Sequence, residues 1–472
     1  MASESAAQDP SSEAQAVLEI PLPESIWAGE PTPFIICGTV RSRRQIAAID
    51  VVVAGRAYPC DFRQRARLGQ PHRFWVAHPG VPTRPGTLEI DAAVRFRDGG
   101  ASGARLGRIE VEETPRPVPP PAGTSRGLIA ICLASFDPDP GLLRGQIESV
   151  RAQTDSNWIC VISDDHSRPE RRSAIEDLVK DDLRFVLSVS DRRRGFYLNF
   201  ERAVRLAPTE AEFVALCDQD DIWYPDKLAT LRQAIGGSSL AYSDARLTDR
   251  NRVNLMESVW PQRRPNTTSL ASVLVANSVP GASALIRAEV ARRALPFPRV
   301  PGWPFHDRWL PAVALAAGQL VRVDRPLYDY VQHGGAVLRG IFSDVAQRRE
   351  SEAQPTPSLA RRWRGRYFYA SLPLRMYAQA LLDREAASGR AGRSALNRLA
   401  VESPATALGL SIRSLRTLFG RDETSGLEWI AASGLLWRAS AEACSRLGRR
   451  GGRCDTAPPP LNLSDLAPPR WG

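Results

Sequence analysis

Cysteine is scarce in this chain: seven in 472 residues (Cys37, Cys60, Cys132, Cys160, Cys217, Cys444 and Cys454), odd in number, scattered and never in a CxxC pair. That distribution argues against a disulfide framework or a zinc cage, and thiols placed inside apolar runs behave as small core residues. Histidine occurs only five times, and a lone histidine is more often structural than functional. No segment approaches the roughly 20 apolar residues needed to span a bilayer. The N-terminal "MASESAAQDPSSEAQA" lacks a basic stretch followed by an apolar one, so no secretory signal is expected and a cytoplasmic location is.

What is present is a globular composition, 43% hydrophobic, with room for two or three domains. The 62 basic against 52 acidic residues give a net charge of +10, which suits nucleic acid, anionic lipid or phosphorylated substrates. Most of that excess sits late: residues 341–472 hold 20 Arg and no Lys against 12 acids. Together with Trp363, Trp429 and Trp437 among the arginines, this raises the expectation of peripheral contact with the inner face of a membrane. An ordinary helical subdomain packed on the core is the competing reading. No nucleic-acid recognition motif accompanies the charge, so a nucleic-acid partner is not expected.

Along the chain, a polar leader (1–16) is expected to be disordered. Residues 17–113 carry short β-rich runs such as "PFIICGTV", "AAIDVVVAG" and "LEIDAAVRF", the spacing of a small sandwich. "TPRPVPPPAGTSRG" (114–127) is too proline-rich for helix or central strand and reads as an extended linker. From 128 to 340 the pattern changes to alternating strand and helix. "LIAICLAS" is apolar throughout, as in a parallel strand covered on both faces, and Leu143, Ile147 and Val150 follow at helical spacing. "NWICVIS", "LRFVLSVS" and "EFVALC" continue the series with helices between them, an α/β architecture whose ligands collect beyond the carboxyl ends of the strands. Arg-rich helices are expected over 341–450 and a disordered Gly/Pro-rich tail over 451–472.

The acids fall at those strand ends. In "LCDQDDIWYPDKL", Asp218 and Asp220 are two apart and point to one side of an extended backbone. Such a pair invites a hard divalent cation, Mg²⁺ or Mn²⁺, although a solvated turn or a cap for a helix beginning near Asp226 would also account for it. Asp164 and Asp165 in "VISDDHS" close an earlier strand, as donor contacts or as turn formers. Asp307 in "GWPFHDRWL" stands beside His306, between Trp303, Phe305 and Trp309, and His333 precedes a glycine pair. A carboxylate in an apolar setting suits a general base. Arg192 to Arg194 could offset a diphosphate's charge or simply form a solvated loop.

Taken in order, "ICLASFDPDPGLLRGQIESVRAQT", "VISDDHS", "ALCDQDDIWYPDKL", "NSVPGASALIR", "FHDRWL" and "YVQHGG" resemble the family 2 glycosyltransferases of bacteria, in particular a rhamnosyltransferase-like branch. The resemblance covers roughly residues 127–340. It implies a GT-A fold, a nucleotide-sugar donor such as a dTDP- or UDP-sugar, a divalent metal and transfer with inversion. It also implies nucleoside contacts from Asp164 and Asp165, a metal held by Asp218, Asp220 and His333, with Asp218 also facing the donor, and Asp307 as base. Departures from the family pattern at "SFDPDP" and after the acid pair bear on the sugar. Asp137, Arg194 and Asn199 are expected to line the donor site, and Asp221, Trp223 and His306 the acceptor side.

The leading expectation is therefore a metal-dependent inverting glycosyltransferase that acts on a glycan or lipid-linked glycan in cell-surface polysaccharide assembly. Two alternatives stand beside it. A nucleotidyltransferase would also join a nucleotide-binding sheet to metal-binding acids, but "SFDPDPG" lacks the Gly-rich, Lys-containing phosphate loop. A non-catalytic glycan-binding or scaffold protein would need the acids to be vestigial.

Overall fold

The computed structural model describes residues 14–62, 71–78, 80, 83–123, 126–258, 269–275, 279–302, 304–333, 358–384, 390–401, 403–415 and 423–446. The expected disordered leader and tail, the start of the Arg-rich region and Trp303 lie largely or wholly outside them. Ala14 to Ala16, assigned to the leader from sequence, belong instead to a strand.

The N-terminal region is a two-sheet sandwich. One sheet orders β1 (Ala14–Leu18), β3 (Phe34–Ser42), β7 (His72–His78) and β6 (Asp61–Phe62); the other orders β2 (Ser25–Trp27), β9 (Ala101–Glu112), β8 (Gly86–Phe96), β4 (Ile46–Val53) and β5 (Arg56–Pro59). Alternation along β8 buries Leu88, Ile90, Ala92, Val94 and Phe96, and these meet Ile36, Val40 and Phe74 of the facing sheet in one core.

The central region is a mixed α/β layer of the GT-A type. Its four parallel strands are β12 (Phe185–Val189), β11 (Trp158–Asp164), β10 (Ile129–Ser135) and β13 (Phe213–Cys217), in that spatial order. Beyond β13 the sheet turns mixed: β17 (Ala284–Arg287) is antiparallel to both β13 and β15 (Leu240–Asp249). β15 runs parallel to β18 (Leu320–Gln332), and β14 (Ile222–Trp223) pairs antiparallel with β18. β10, β11 and β13 are buried nearly end to end, because helices cover both faces. Those helices include α1 (Pro140–Arg151), α2 (Pro169–Val179), α3 (Phe196–Leu206) and α4 (Lys227–Ile235). α1 starts where Asp139 accepts the Gly141 and Leu142 amides, with Pro140 at its first position.

The C-terminal residues are helical, as the sequence implied, but they form no separate layer. Tyr367, Phe368, Leu372 and Tyr377 share a core with α3, with the helix His306–Ala317 and with Ile35, Cys37 and Trp75 of the sandwich. Trp75 packs edge-on against Tyr367 and Phe368, at 6.1 and 6.0 Å between centroids. Arg438 lies over the same indole. Trp437 is buried against Tyr367 and Phe368, while Trp363 and Trp429 are half-buried. The tryptophans read from sequence as membrane contacts are thus largely taken up by packing.

The proline-rich stretch leaves the sandwich without swinging free of it. Thr114 Oγ1 donates to the Ala28 carbonyl and the Val118 amide to that of Leu206. Because Trp75 is the sandwich's main anchor in the shared core, Trp75→Ala is expected to cost about 3–5 kcal/mol in urea unfolding and to loosen the C-terminal helices first. Hydrogen exchange at residues 367–381 reads this out.

Candidate functional site

The carboxyl ends of β10, β11 and β13 lie side by side: Ser135 is in register with Asp164, and Leu133 with Cys217. Every acid singled out in the first two motifs is therefore on one edge. The antiparallel pairing of Ile222 with Asp329 and Trp223 with Tyr328 brings the end of β18 back across the same edge. This is why His333 Nε2 reaches Asp220 Oδ2, at 2.7 Å. From the far side, the helix His306–Ala317 delivers its first turn, where His306 Nε2 and Asp307 Oδ1 are 2.6 Å apart.

Charge is crowded here. Asp218 keeps some solvent exposure, yet burial and the neighbouring Asp220 carboxylate push its pKa up to about 7. Asp221 is buried, with both oxygens out of reach of a well-formed side-chain hydrogen bond. Burial, with Asp218 and Asp220 adding repulsion, raises its proton affinity well above a carboxylate's usual range. For His306 burial alone would favour the neutral ring, but the Asp307 carboxylate outweighs it and the net shift is upward. The His306 ring stacks on Phe200 at 3.8 Å.

One residue that sequence reasoning passed over answers this negative charge. Lys227 is fully buried behind the acids, its ammonium 3.7 Å from the Trp223 ring centroid and 4.6 Å from that of Tyr328. It donates to the Ala282 carbonyl. Burial lowers its pKa to about 7, against the opposing pull of Cys217, Asp221 and Asp218. Ala282 belongs to the short turn Gly281–Ser283, so Lys227 ties the acid motif to that turn. Gly281 in turn abuts the Asp307–His306 pair: a Cβ there would collide with Asp307 Oδ1 and His306 Nε2. The signal in the sequence was the lysine of "YPDKL", six residues after Asp221.

Gln219, between the two metal-candidate acids, was also missed. Its side chain accepts from the Phe136 amide at 2.8 Å and donates to the Phe136 carbonyl at 3.3 Å. It therefore fastens the motif to the loop after β10. Asp226 does not cap α4 with its side chain; Gln153 Oε1 takes the Leu228 amide instead.

The remaining residues divide differently from expectation. Asp164 is buried and accepts from the Ser167 amide and hydroxyl, at 2.9 and 2.5 Å. Asp165 accepts the amides of Arg194 and Gly195, at 2.6 and 2.8 Å, holding the loop before α3. Both form turns at the carboxyl end of β11. Gly195 has φ +82°, a conformation that favours glycine. Asp137 is engaged by Arg168 through its backbone amide and Nε.

Five residues expected to line the donor or acceptor side have their side chains engaged elsewhere or covered in this structure. Asn199 is buried and bridges Ser163 to the carbonyls of Ser135 and Ser163, so it ties β10 to β11 and does not line a pocket. The Arg194 guanidinium points away to Glu112 and Asp191 and over Trp27. Arg192 likewise pairs with Glu110, while Arg193 stacks on Phe136 at 4.1 Å. Trp223 and Asp221 are buried beneath the site. His306 is also buried and reaches the site only through Asp307.

As a cation site the cluster is incomplete by itself. Among the described residues, no three carboxylate, imidazole or thiolate groups stand together as metal ligands. The donor set of Asp218, Asp220 and His333 is nevertheless suited to a hard ion, and burial, with the neighbouring Asp220 carboxylate, raises the proton affinity of Asp218. Diphosphate oxygens and water would supply the remaining positions.

Residues 134–279 match the family model Glycosyl transferase family 2. That stretch, a part of the central α/β region, is similar to the family 2 glycosyltransferases. Among known proteins, 129 residues are 30% identical to Uncharacterized protein y4gI of Sinorhizobium fredii, covering 27% of this chain and 14% of that one. A further 107 residues are 24% identical to Succinoglycan biosynthesis protein ExoW of Rhizobium meliloti, covering 23% and 34%. The matches thus span about a third or less of either relative's length. Among solved structures, S. aureus TarS 1-349 in complex with UDP-GlcNAc aligns at 14% identity over 70% of this chain and 95% of that one, with a TM-score of 0.40. Mannosyltransferase PcManGT from Pyrobaculum calidifontis, in complex with GDP-Man and Mn²⁺, aligns at 17% identity over 68% and 90%, with a TM-score of 0.35.

Two outcomes follow from the buried charges of this α/β region. Lys227→Met leaves the Ala282 carbonyl without its donor and is expected to cost about 1–3 kcal/mol in urea unfolding. Because the Asp218 carboxyl is pushed from 3.8 to about 7 on folding, the folded protein holds a proton there that the unfolded chain releases. Its contribution to stability is greatest below pH 4 and is lost as pH rises to 7. Asp218→Asn should remove that part of the slope, seen as a flatter melting temperature between pH 4 and 7 in chelator.

Proposed function

We propose that this protein transfers a sugar, with inversion, from a nucleoside-diphosphate donor to a hydroxyl of a glycan or lipid-linked glycan, with Mg²⁺ or Mn²⁺, in cell-surface polysaccharide assembly. The single observation that carries the reading is the convergence of Asp218, Asp220 and His333 with the Asp307–His306 pair on one sheet edge. A diphosphate leaving group and a hydroxyl nucleophile need those two sets of groups in one place. The partial likeness to a succinoglycan biosynthesis protein supports the polysaccharide setting. The resemblance to rhamnosyltransferase-like sequences puts dTDP-rhamnose beside UDP-sugars as the donors to try first.

In this mechanism Asp220 and His333, with Asp218 beside them, would hold the divalent ion, which would supply Lewis-acid stabilisation of the departing diphosphate. The turns built by Asp164 and Asp165 present backbone and ring surfaces to the nucleoside. Asp307 accepts the proton of the attacking hydroxyl. His306, packed on Phe200, fixes the Asp307 carboxylate, and the missing side chain at Gly281 leaves that carboxylate room. A single displacement needs no covalent nucleophile, so inversion follows. Asp307 also starts a helix whose Pro311 cannot donate back to it, which leaves the Asp307 carbonyl outside the regular ladder.

A nucleotide-sugar panel with released nucleoside diphosphate as readout tests this. Turnover should require Mg²⁺ or Mn²⁺, and Asp220→Ala and Asp307→Ala should each lower kcat by at least about 100-fold. Only Asp220→Ala should also abolish the rise in melting temperature that Mn²⁺ gives the wild type. Full activity in either variant removes that residue's role, and diphosphate release from a nucleoside triphosphate would replace the reading with nucleotidyl transfer.

A further inference from the structure

The C-terminal region carries one apolar face that no described part of the chain covers. The helix Pro404–Ser414 is capped by Ser403, whose hydroxyl accepts the Thr406 amide. Its inner face buries Thr406, Ala407, Leu410 and Ser414 and packs on the long helix Glu423–Arg446. Its outer face presents Leu408 and Ile412, followed by Leu415, at 61%, 58% and 54% exposure, and Val401 just before the cap is 60% exposed. Positions 408, 412 and 415 lie four and then three residues apart, which places them in one stripe. Scattered exposed leucines need no explanation, but a helix with apolar residues on both faces does.

The surroundings of this stripe are cationic. Between Arg390 and Leu415 there are four arginines and one acid, Glu402. Val401 forms one wall of a depression of about 500 Å³, whose other walls are Arg393, Ser394, Asn397, Arg398 and Ser403. Arg398 donates to Ser394 Oγ at 2.7 Å, so hydroxyl, amide and guanidinium donors face one opening. The carboxylate in the adjoining depression, Asp383, is held by Gln379 at 2.7 Å. Donors of this kind match a phosphate group, and the hydrocarbon stripe beside them matches acyl chain. No helix among the described residues is long and apolar enough to cross a membrane.

We propose that the helix Pro404–Ser414 lies in the surface of an anionic bilayer, with Val401, Leu408, Ile412 and Leu415 seated among the acyl chains and Arg393 and Arg398 on the headgroup phosphates. This contact is independent of the glycosyltransferase reading and differs from the tryptophan-based one, since Trp437 is buried in the core.

The full chain is sedimented with phosphatidylglycerol-containing vesicles and with pure phosphatidylcholine vesicles, at low and high salt. Binding should need the anionic lipid and weaken with salt. Leu408→Asp/Ile412→Asp should weaken it at least about tenfold, and Arg393→Glu/Arg398→Glu should remove its dependence on anionic lipid. All four positions are exposed, so unchanged far-ultraviolet circular dichroism and melting temperature confirm that the variants fold. The proposal is overturned if the wild type stays in the supernatant, if both double variants bind as the wild type does, or if the Leu408/Ile412 change converts a dimer to a monomer without altering sedimentation.

Discussion

Three aspartates in four positions, at the end of a buried strand, are the constraint around which this molecule is arranged. Their mutual repulsion is partly met from behind by Lys227 and from in front by His333, and the remainder is left for a cation or for protons. Buried carboxylates are stable only where the surroundings are rigid enough to hold compensating charge in place. The fastening of Gln219 to Phe136, of Lys227 to the Gly281–Ser283 turn and of Gln153 to the start of α4 all serve that rigidity. The mixed half of the sheet has the same effect, because the return of β18 beside β14 sets an imidazole opposite the acids.

Much of the central domain could be read from the sequence because parallel strands covered on both faces are near-continuous apolar runs. "LIAICLAS" and "NWICVIS" have few alternatives, and their carboxyl ends locate an acid cluster without further information. Asp218 and Asp220 were visible for that reason, whereas Asp307 stood out by its aromatic neighbours and His333 by the family resemblance. The sandwich was visible through alternation, as along β8. What stayed hidden depended on contacts remote in sequence. Nothing local to Asn199 says that its amide will bridge two strand ends, nor that the Arg194 guanidinium will find Glu112 some eighty residues earlier. Polar residues on an active edge look alike in sequence whether they face a ligand or hold a backbone.

Lys227 shows the opposite error. A lysine at the start of an amphipathic helix is ordinarily a solvated residue, and composition gives no reason to bury it. The reason is the field of the acids preceding it, a property of the fold and not of the helix. The tryptophans of the C-terminal region left both readings open, since an aromatic among arginines suits an interface or a core equally well; Trp437 is taken into the core against Tyr367, which also meets Trp75 of the sandwich.

The loop that carries Arg192 to Arg194 gives its backbone amides to Asp165 on the α/β side and two of its guanidiniums to Glu110 and Glu112 on the sandwich side. The proline-rich segment is thus a seam in the chain but not in the molecule. If such sandwiches were exchanged between related enzymes as modules, a cut at residues 114–127 would carry over the wrong half of this joint. The transplantable unit has to include the three-arginine turn, so the frontier between the sandwich and the α/β region runs through the loop that Asp165 holds.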